Sequence, residues 1–512
     1  MKNGSITVYL SLTLMLCISI IFTFLESARI QGIKTYMIMG AESALDSAFA
    51  EYDRDMFEKY GITLFHGNME EVMSEYLEYE YHPQTNKLGS GITWYSLNNT
   101  ELSVEKVIRA VDYKGSIFAQ LVVEYMKYSA VGDQTDQILE QLNILEKGES
   151  ARKDTQEAKK EAESYDGGKD KKVEKTENIE EKAYDAVFAN NLVYRSQNDE
   201  SSEEKEEGFD QERYKKEWED SVIYDVEEIK KSGFMKYILP RGSALSGEKI
   251  EQNDLPSCNI PSGEELKYGS GLDDAGRDLL FNMYVTSHFP SFVSKEKRSG
   301  VQYELEYILF GKKSDDENLK TSIERLLLIR EGLNVIHITK SPEKMQAAMA
   351  MAISIMGWTQ NPALIKLTQA AIIGAWAYGE SIVDVRSLLG GGKINLIKSE
   401  EEWNLSLEGF VSFLSGTLTE GKEGKNGLTY TDYLRLLLFI EKKEDKYYRT
   451  MDMIQVNMKK TNPEFRMEEC IFGVQMGLEV QASGIFSNFI QNQVGENFPK
   501  QYKYNFSVSR MY

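Results

Sequence analysis

Residues 6–25, from Ile6 to Leu25, form a mostly apolar stretch that contains no charged side chain. About 20 apolar residues, each rising about 1.5 Å along a helix, span the hydrocarbon core of a bilayer. The alternative is a cleaved signal peptide, but the nearest cleavage site would place Glu26 where a small residue is expected. We therefore predict that residues 1–30 form a short cytoplasmic tail and an uncleaved transmembrane anchor. The expected location is the cell membrane, single-pass, with the N-terminus cytoplasmic and the C-terminal bulk extracellular.

The apolar periodicity continues beyond the predicted membrane segment. Residues 41–60 place apolar side chains at spacings of three and four, which predicts a helix with one buried face. Gly61 supplies a left-handed C-cap signal. One helix is therefore predicted from Thr7 to Tyr60, half in the membrane and half packed on a soluble domain, with Gly40 as a point where it could bend.

The remaining chain divides by composition into three predicted segments. Residues 31–146 are predicted to form a pilin-like helix and a small α+β unit. Residues 147–232 are rich in charge and poor in aliphatic side chains, which predicts a charged linker, a solvated helix or a disordered insertion that the fold does not need. Residues 233–512 are predicted to form a helix-rich domain with terminal strands. Residues 467–481 and 502–511 have strand character, the latter with clear alternation, and a late strand is expected to pair with one from the N-terminal half.

Two cap–proline pairs, Ser341-Pro342 and Asn361-Pro362, begin apolar helices. They predict a buried helical hairpin rather than two further membrane spans, since the first helix is short and the second contains charged residues. The expected fold class is α+β and helix-rich. A long N-terminal transmembrane helix continues into an extracytoplasmic domain with a small sheet and a C-terminal helical hairpin or bundle.

The chain of 512 residues carries 59 lysines and arginines against 81 aspartates and glutamates, a net charge of −22. This acidic balance argues against nucleic acid as a partner, because phosphate binding needs a basic surface. Three cysteines and four histidines leave little material for a metal centre, and no metal, cofactor or small-molecule substrate is predicted. Cys258 and Cys470 could pair, although two distant cysteines do not make a disulfide framework.

Catalytic motifs are absent from the sequence, and no catalytic residue is predicted. Glu304 and Glu306 are expected to have a surface or capping role. Glu380 and Asp384 lie four residues apart on an apolar helix, with Arg386 nearby. Because buried carboxylates need a partner, these three residues are expected to form a buried ion-pair cluster that holds the hairpin. Acid–base chemistry at the same carboxylates is the alternative interpretation.

The start of the chain resembles the Tad-type pilin-like proteins of the TadE/TadG class. These proteins have a glycine, three residues, an aliphatic residue, a glutamate and then a hydrophobic helix. The resemblance implies prepilin-like processing between Gly4 and Ser5. This chain has Tyr9 where the class has glutamate, which indicates an accessory subunit rather than the polymerising pilin.

A longer resemblance covers most of the chain. It is to an uncharacterised family of Gram-positive membrane proteins encoded beside Tad-like pilus or secretion genes. The resemblance implies a non-enzymatic, membrane-anchored extracytoplasmic component of such an apparatus. Its expected partners are the lipid bilayer, through residues 6–25, and other pilus or secretion subunits. The matching stretches are GSITVYLSL (4–12), ESARIQG (26–32), DSAFAEYDRDMFEKYGI (46–62), FNMYVTSHF (281–289), YELEYILFGK (303–312), RLLLIREGLN (325–334), AWAYGESIVDVRSLLGGGKINLIK (375–398) and YTDYLRLLL (430–438).

The alternative function is a membrane-anchored extracytoplasmic hydrolase or ligand-binding receptor. A concave pocket that gathers Glu380, Asp384, His288 or His337 would favour that function.

Overall fold

Helices dominate the computed structural model, and a small antiparallel sheet joins the two ends of the chain, which confirms the predicted α+β fold class. The structure describes residues 3–81, 97–127, 134–164, 210–240, 245–261, 263–264, 266, 274–294, 300–407, 409–410, 421–424, 427–484 and 501–512. The strands are β1 (Leu97–Arg109), β2 (Ile471–Ser483) and β3 (Gln501–Met511). The helices are α1 (Asn3–Phe49), α2 (Arg54–Tyr60), α3 (Met69–Tyr81), α4 (Ser116–Met126), α5 (Gln134–Glu163), α6 (Gln211–Glu219), α7 (Val222–Ser232), α8 (Met235–Ile238), α9 (Asp274–His288), α10 (Glu304–Phe310), α11 (Asp315–Lys340), α12 (Pro342–Met356), α13 (Pro362–Leu389), α14 (Tyr430–Ile440) and α15 (Lys443–Met458).

The chain forms two compact units that are interleaved in sequence. Unit 1 comprises Met1–Ser129, Asn253–Leu272 and Lys443–Tyr512, and unit 2 comprises Ala130–Gln252 and Asp273–Lys442. This arrangement differs from the predicted succession of segments along the chain. The reason is the sheet, whose strands come from both the N-terminal and the C-terminal part of unit 1.

The sheet of unit 1 has the order β1-β2-β3, and both pairs are antiparallel. The predicted pairing of a late strand with an N-terminal strand is confirmed, because β2 pairs with β1 along its length. One face of the sheet packs on α1 and α3 around a single apolar cluster that includes Met476, Leu478 and Val480 of the central strand. The alternating, β-rich sequence of residues 92–97 also predicts a strand, but of these residues only Leu97, where β1 begins, lies among the described residues.

Helix α1 is continuous from the predicted membrane segment into the core of unit 1. Its inward stripe is fully buried, and the small residues Ala41, Ala44 and Ala48 allow close packing on α3 and the sheet. The helix ends at Phe49, earlier than the predicted end at Tyr60. The cause is Asp53, whose Oδ1 accepts from Met56 N (2.9 Å) and so begins α2 as a separate helix. The left-handed cap expected at Gly61 is present at the end of α2 (φ 67°).

Gly40 is a packing position of α1 rather than a bend. A Cβ added there would lie 2.7 Å from Cε1 of Tyr81 on α3. The Tyr81 ring is buried, and its hydroxyl donates to the Met37 carbonyl oxygen (2.7 Å), so it has little freedom to move.

We expect Gly40→Ala to lower the free energy of unfolding. Overpacking costs about 1–3 kcal/mol, which exceeds the gain of about 1 kcal/mol from replacing a helical glycine by alanine. Thermal unfolding of the full chain in detergent measures the effect. In a Tyr81→Leu background the sign should reverse, because the clash is gone. A destabilisation of equal size in both backgrounds would contradict this explanation.

Helices α11 and α13 lie at the centre of unit 2, and α5 packs against both. The close approach of α5 depends on small residues. A Cβ at Gly332 of α11 would lie 2.1 Å from the Gly148 carbonyl oxygen, and Thr155, Ala158 and Ala162 continue the buried stripe of α5.

The described parts of residues 147–232 form packed helices, in contrast to the linker or disordered insertion that was predicted. Residues 147–163 belong to the packed helix α5. The later helices α6 and α7 bury side chains as well, among them Tyr214, Trp218, Val226 and Ile229. Residues 165–209 lie outside the described residues.

Candidate functional site

Four charged side chains meet in the interior of unit 2. We call Arg330 of α11, Glu380 and Asp384 of α13, and Lys398 of the loop after α13 the buried charge cluster. Side-chain exposure is 0% for the first three and 1% for Lys398. The two positive and two negative charges give the cluster no formal net charge.

Arg330 is the centre of the hydrogen bonds in the buried charge cluster. Its Nε donates to Asp384 Oδ2 (2.9 Å). Its Nη1 donates to the carbonyl oxygens of Asn395 and Leu396 (both 2.9 Å) and to the Tyr433 hydroxyl (3.0 Å). One guanidinium group therefore fixes α13, the following loop and α14 around α11.

Glu380 holds a second part of the same loop. Its Oε1 accepts from Asn404 N (3.0 Å), and its Oε2 accepts from Leu405 N (2.9 Å). The Lys398 ammonium donates to Glu380 and also forms an ion pair with Asp384. The loop of residues 395–405 is thus tied to the hairpin by charge-assisted hydrogen bonds, which are stronger than neutral ones.

The electrostatics keep Asp384 ionised. Burial alone would favour the neutral acid, but the Lys398 ammonium and the Arg330 guanidinium outweigh it and hold the pKa of Asp384 below its ordinary value. A carboxylate that is ionised, paired and shielded from solvent has the properties of a structural anchor and not of a proton donor or acceptor.

The structure brings together only part of the set chosen from the sequence. Glu380 and Asp384 share the cluster, whereas Arg386 donates from Nε to the Tyr237 carbonyl oxygen (2.7 Å). The cations that face the two carboxylates are Arg330 and Lys398, which sequence analysis did not select. Gly4 and Ser5, the residues of the predicted processing site, lie in the first turn of α1.

Cys258 and Cys470 are both free cysteines, the first exposed and the second buried.

Glu304 and Glu306 correct the expectation of a surface or capping role, since both are fully buried. The reason is that α10 is enclosed by its surroundings, with buried side chains from Glu304 to Leu309. Oε1 of Glu306 accepts from Phe292 N and from the Tyr430 hydroxyl (both 2.9 Å), while Oε2 is buried and has no hydrogen-bond partner among the described residues.

Burial raises the pKa of Glu306 to about 7, and the Asp315 carboxylate adds to the shift. Glu306 is therefore a buried acid that titrates near neutral pH.

Each of the two histidines considered for a hydrolase or receptor stacks on an aromatic ring. His288 stacks on Tyr284 with ring centroids 4.2 Å apart. His337 stacks on Trp403 (4.6 Å), and its Nδ1 donates to the Lys398 carbonyl oxygen (3.0 Å). Burial and the nearby Lys344 ammonium lower the pKa of His337.

Two of the surface grooves in the described part of the chain have defined positions. One lies on the outer face of α1 near Met39 and Asp46. The other, of 260 Å³, lies between Lys230 and Tyr378. Neither groove contains Glu380, Asp384, His288 or His337. The described residues also hold no group of three or more histidine, cysteine, aspartate or glutamate residues that could bind a metal ion.

The N-terminal part of α1 is the second candidate site. From Ile6 to Leu25 no side chain is buried, although most are apolar. Among the described residues, this is the one helix long and apolar enough to cross a membrane, as a single span or as a signal sequence. The hydroxyls of Ser11, Thr13 and Thr23 donate to carbonyl oxygens of their own helix, so no polar group of these side chains opposes burial in lipid.

Residues 211–482 match the family of unknown function DUF5702, over more than half of the chain. The chain belongs to this family. The DUF5702 match includes the buried charge cluster, Glu306 and β2, whereas α1, β1 and β3 lie outside it. Comparison with curated proteins and with solved structures returned no match.

Proposed function

We propose that the protein is a non-enzymatic, membrane-anchored extracytoplasmic component of a Tad-like pilus or secretion apparatus. The observation that carries this proposal is the continuity of α1. Its first half exposes apolar surface along residues 6–25, and its second half is the helix on which the core of unit 1 is built. A helix with these two halves couples a folded domain directly to a bilayer.

The packing around residue 26 favours an uncleaved anchor over a signal peptide. Arg29 is buried, donates from Nη1 to Glu26 Oε1 (3.0 Å), and donates from Nη2 to the Ser483 carbonyl oxygen at the end of β2. Cleavage after Ala28 would remove Glu26 and leave the buried Arg29 without its carboxylate. Removing one member of a buried ion pair typically costs about 3–5 kcal/mol, so the mature fold is expected to retain this segment.

A non-enzymatic role is favoured by the state of the charged residues. The carboxylates that were candidates for acid–base work, Glu380 and Asp384, have no solvent exposure and hold a loop in place. Catalysis needs a group that can reach a substrate. Assembly needs a rigid domain on a membrane anchor.

The topology and the assembly role are tested together on the full chain with a C-terminal tag. We expect the protein to remain in the membrane after carbonate extraction, at its uncleaved length, and to be degraded when protease is added to intact protoplasts. Cys17 lies in the span, so cross-linking from it, with Cys258 and Cys470 replaced by Ser, should give adducts with partner subunits.

A tag protected from external protease would contradict the outward topology. A monomer without adducts, together with unchanged pilus and secretion phenotypes on gene deletion, would contradict the assembly role.

A further inference from the structure

The sheet of unit 1 ends in two strand edges that no other described strand covers. The order β1-β2-β3 leaves the outer edges of β1 and β3 unpaired among the described residues. β3 pairs with β2 over its whole length without a register shift, so its outer edge is straight. Native proteins usually protect such edges with bulges, charges or a covering element, because an open edge recruits another strand.

Four contacts fix the direction of the sheet relative to α1. Along α1, Arg29 contacts the end of β2 opposite Gln501, and Lys34 lies 5.7 Å from the Tyr504 ring centroid. Further along, Asp46 forms an ion pair with Arg510 (3.1 Å from Oδ1 to Nε), and the rings of Phe49 and Tyr512 pack in a tilted arrangement (4.9 Å between centroids). β3 therefore runs beside α1 in the same direction, away from the membrane segment.

This direction limits how two anchored copies can pair. Because β1 and β3 are each antiparallel to β2, they run in the same direction as each other and as α1. Antiparallel pairing of β3 with β3 of a second copy would point one anchor away from the membrane. Parallel pairing of β3 with β1 of the next copy keeps both anchors in the same membrane.

The register within one copy indicates which residues would meet. Bulges interrupt β1 between Asn98 and Thr100 and between Val104 and Lys106, so residues 100–104 form the regular stretch of its edge. The pairing through β2 places residues 504–508 at the same height as residues 100–104. Two copies at equal height in one membrane would therefore pair these stretches, within a residue or two.

The charges of the two edges are compatible with this pairing. β3 carries two cations, Lys503 and Arg510, and no acidic residue. The facing stretch of β1 carries the exposed Glu101, with Glu105 directly after it. Lys503 donates to Glu479 of its own β2 (2.7 Å) and remains largely exposed. It would also lie diagonal to Glu101 of the next copy, and opposite charges across strands stabilise pairing.

We infer that the outer edge of β3 pairs in parallel with the outer edge of β1 of a second copy of this chain in the same membrane. The pairing is heterologous, so it builds a ring or an open row of copies rather than a closed dimer. The inference depends on one part of the proposed function, the membrane anchor. It names a second copy of this chain as the partner of unit 1.

Disulfide cross-linking of the full chain in membranes tests this pairing. Glu101 and Asn505 both lie directly across from Glu479, on opposite sides of β2. Within one copy they are two strand spacings, or about 10 Å, apart, which is beyond the limit of about 7 Å between the Cα atoms of a disulfide. A double variant Glu101→Cys/Asn505→Cys, in a Cys17→Ser/Cys258→Ser background, can therefore form this disulfide only between copies.

We expect a ladder of dimers and higher oligomers for the double variant under mild oxidation, and monomers for each single variant. The charge test keeps Glu101 and uses the pair Ser103→Cys/Ser507→Cys, which both lie across from Gly477. In this pair Lys503→Glu should lower the cross-linked fraction roughly fivefold, and added Glu101→Lys should restore it.

Two outcomes would overturn the inference. In the first, the double variant stays monomeric although carbonate extraction still recovers it in the membrane. This result would show an intact anchor without the proposed strand pairing. The other is a dimer from Asn505→Cys alone, because it requires β3 to pair with β3. Loss of the protein from the membrane would instead contradict the proposed anchor, so the two failures are distinguishable.

Discussion

Replacing Arg330 by methionine is expected to lower the free energy of unfolding by about 3–5 kcal/mol, because it breaks a buried charge network from one side. Asp384 would lose its guanidinium partner, and the carbonyl oxygens of Asn395 and Leu396 would lose their donor in a site without solvent. A loss of this size corresponds to a fall of about 10 °C in the midpoint of thermal unfolding for a unit of this length. Circular dichroism of the full chain in detergent measures it.

The matched control is Arg325→Met on the same helix. Arg325 is exposed, and surface substitutions of this kind usually change stability by less than about 0.5 kcal/mol. The loop of residues 395–405 should also become sensitive to limited proteolysis in the Arg330 variant and not in the control. Equal melting temperatures for the two variants would show that the cluster does not hold the loop.

The carboxylates of the buried charge cluster were predictable from the sequence, but their partners were not. Glu380 and Asp384 stand one turn apart on an apolar helix, so their burial and their need for cations follow from local pattern alone. Arg386 is two residues beyond Asp384 and therefore points to a different side of the helix. The cations that meet the carboxylates come from α11 and from the loop after α13, and only tertiary structure brings them there.

The same distinction applies to the helices of unit 2. The hairpin of α12 and α13 was predicted from its cap–proline pairs, because a start signal acts through the residues next to it. Helix α5 was missed as a packed element because its buried stripe uses Gly148, Thr155, Ala158 and Ala162 instead of large apolar residues. Small residues indicate a close approach of two helices only when the residue that faces them is known. Here that residue is Gly332 of α11, which faces Gly148.

Glu306 was assigned to the surface because a charged residue usually lies there. The signal that could have corrected this is the run from Leu305 to Leu309, in which all side chains except that of Glu306 are apolar or aromatic. A short helix that is apolar on all sides is typical of a buried position, so any acid within it is buried too. The consequence is a second large effect on stability, one that depends on pH.

The protein is expected to lose stability as pH rises from about 4.5 to about 7 because of Glu306. Its pKa is about 7 in the fold against 4.5 for the ordinary side chain. The folded state therefore binds the proton more tightly than the unfolded state. The stabilisation is complete below the unfolded pKa, declines as pH rises through this window and is gone above the folded pKa. A difference of this size corresponds to about 3 kcal/mol.

The variant Glu306→Gln isolates this contribution, because it keeps an oxygen that accepts from Phe292 N and the Tyr430 hydroxyl but cannot ionise. The difference in unfolding free energy between variant and wild type should move in favour of the variant by about 3 kcal/mol between pH 4.5 and pH 8. Titrating groups that do not interact with Glu306 contribute equally to both proteins and cancel in the difference. Glu324→Gln, at an exposed position of α11, is the matched control for the loss of one carboxylate. If the curve of the Glu306 variant ran parallel to that of wild type, Glu306 would not hold a proton in the fold near neutral pH.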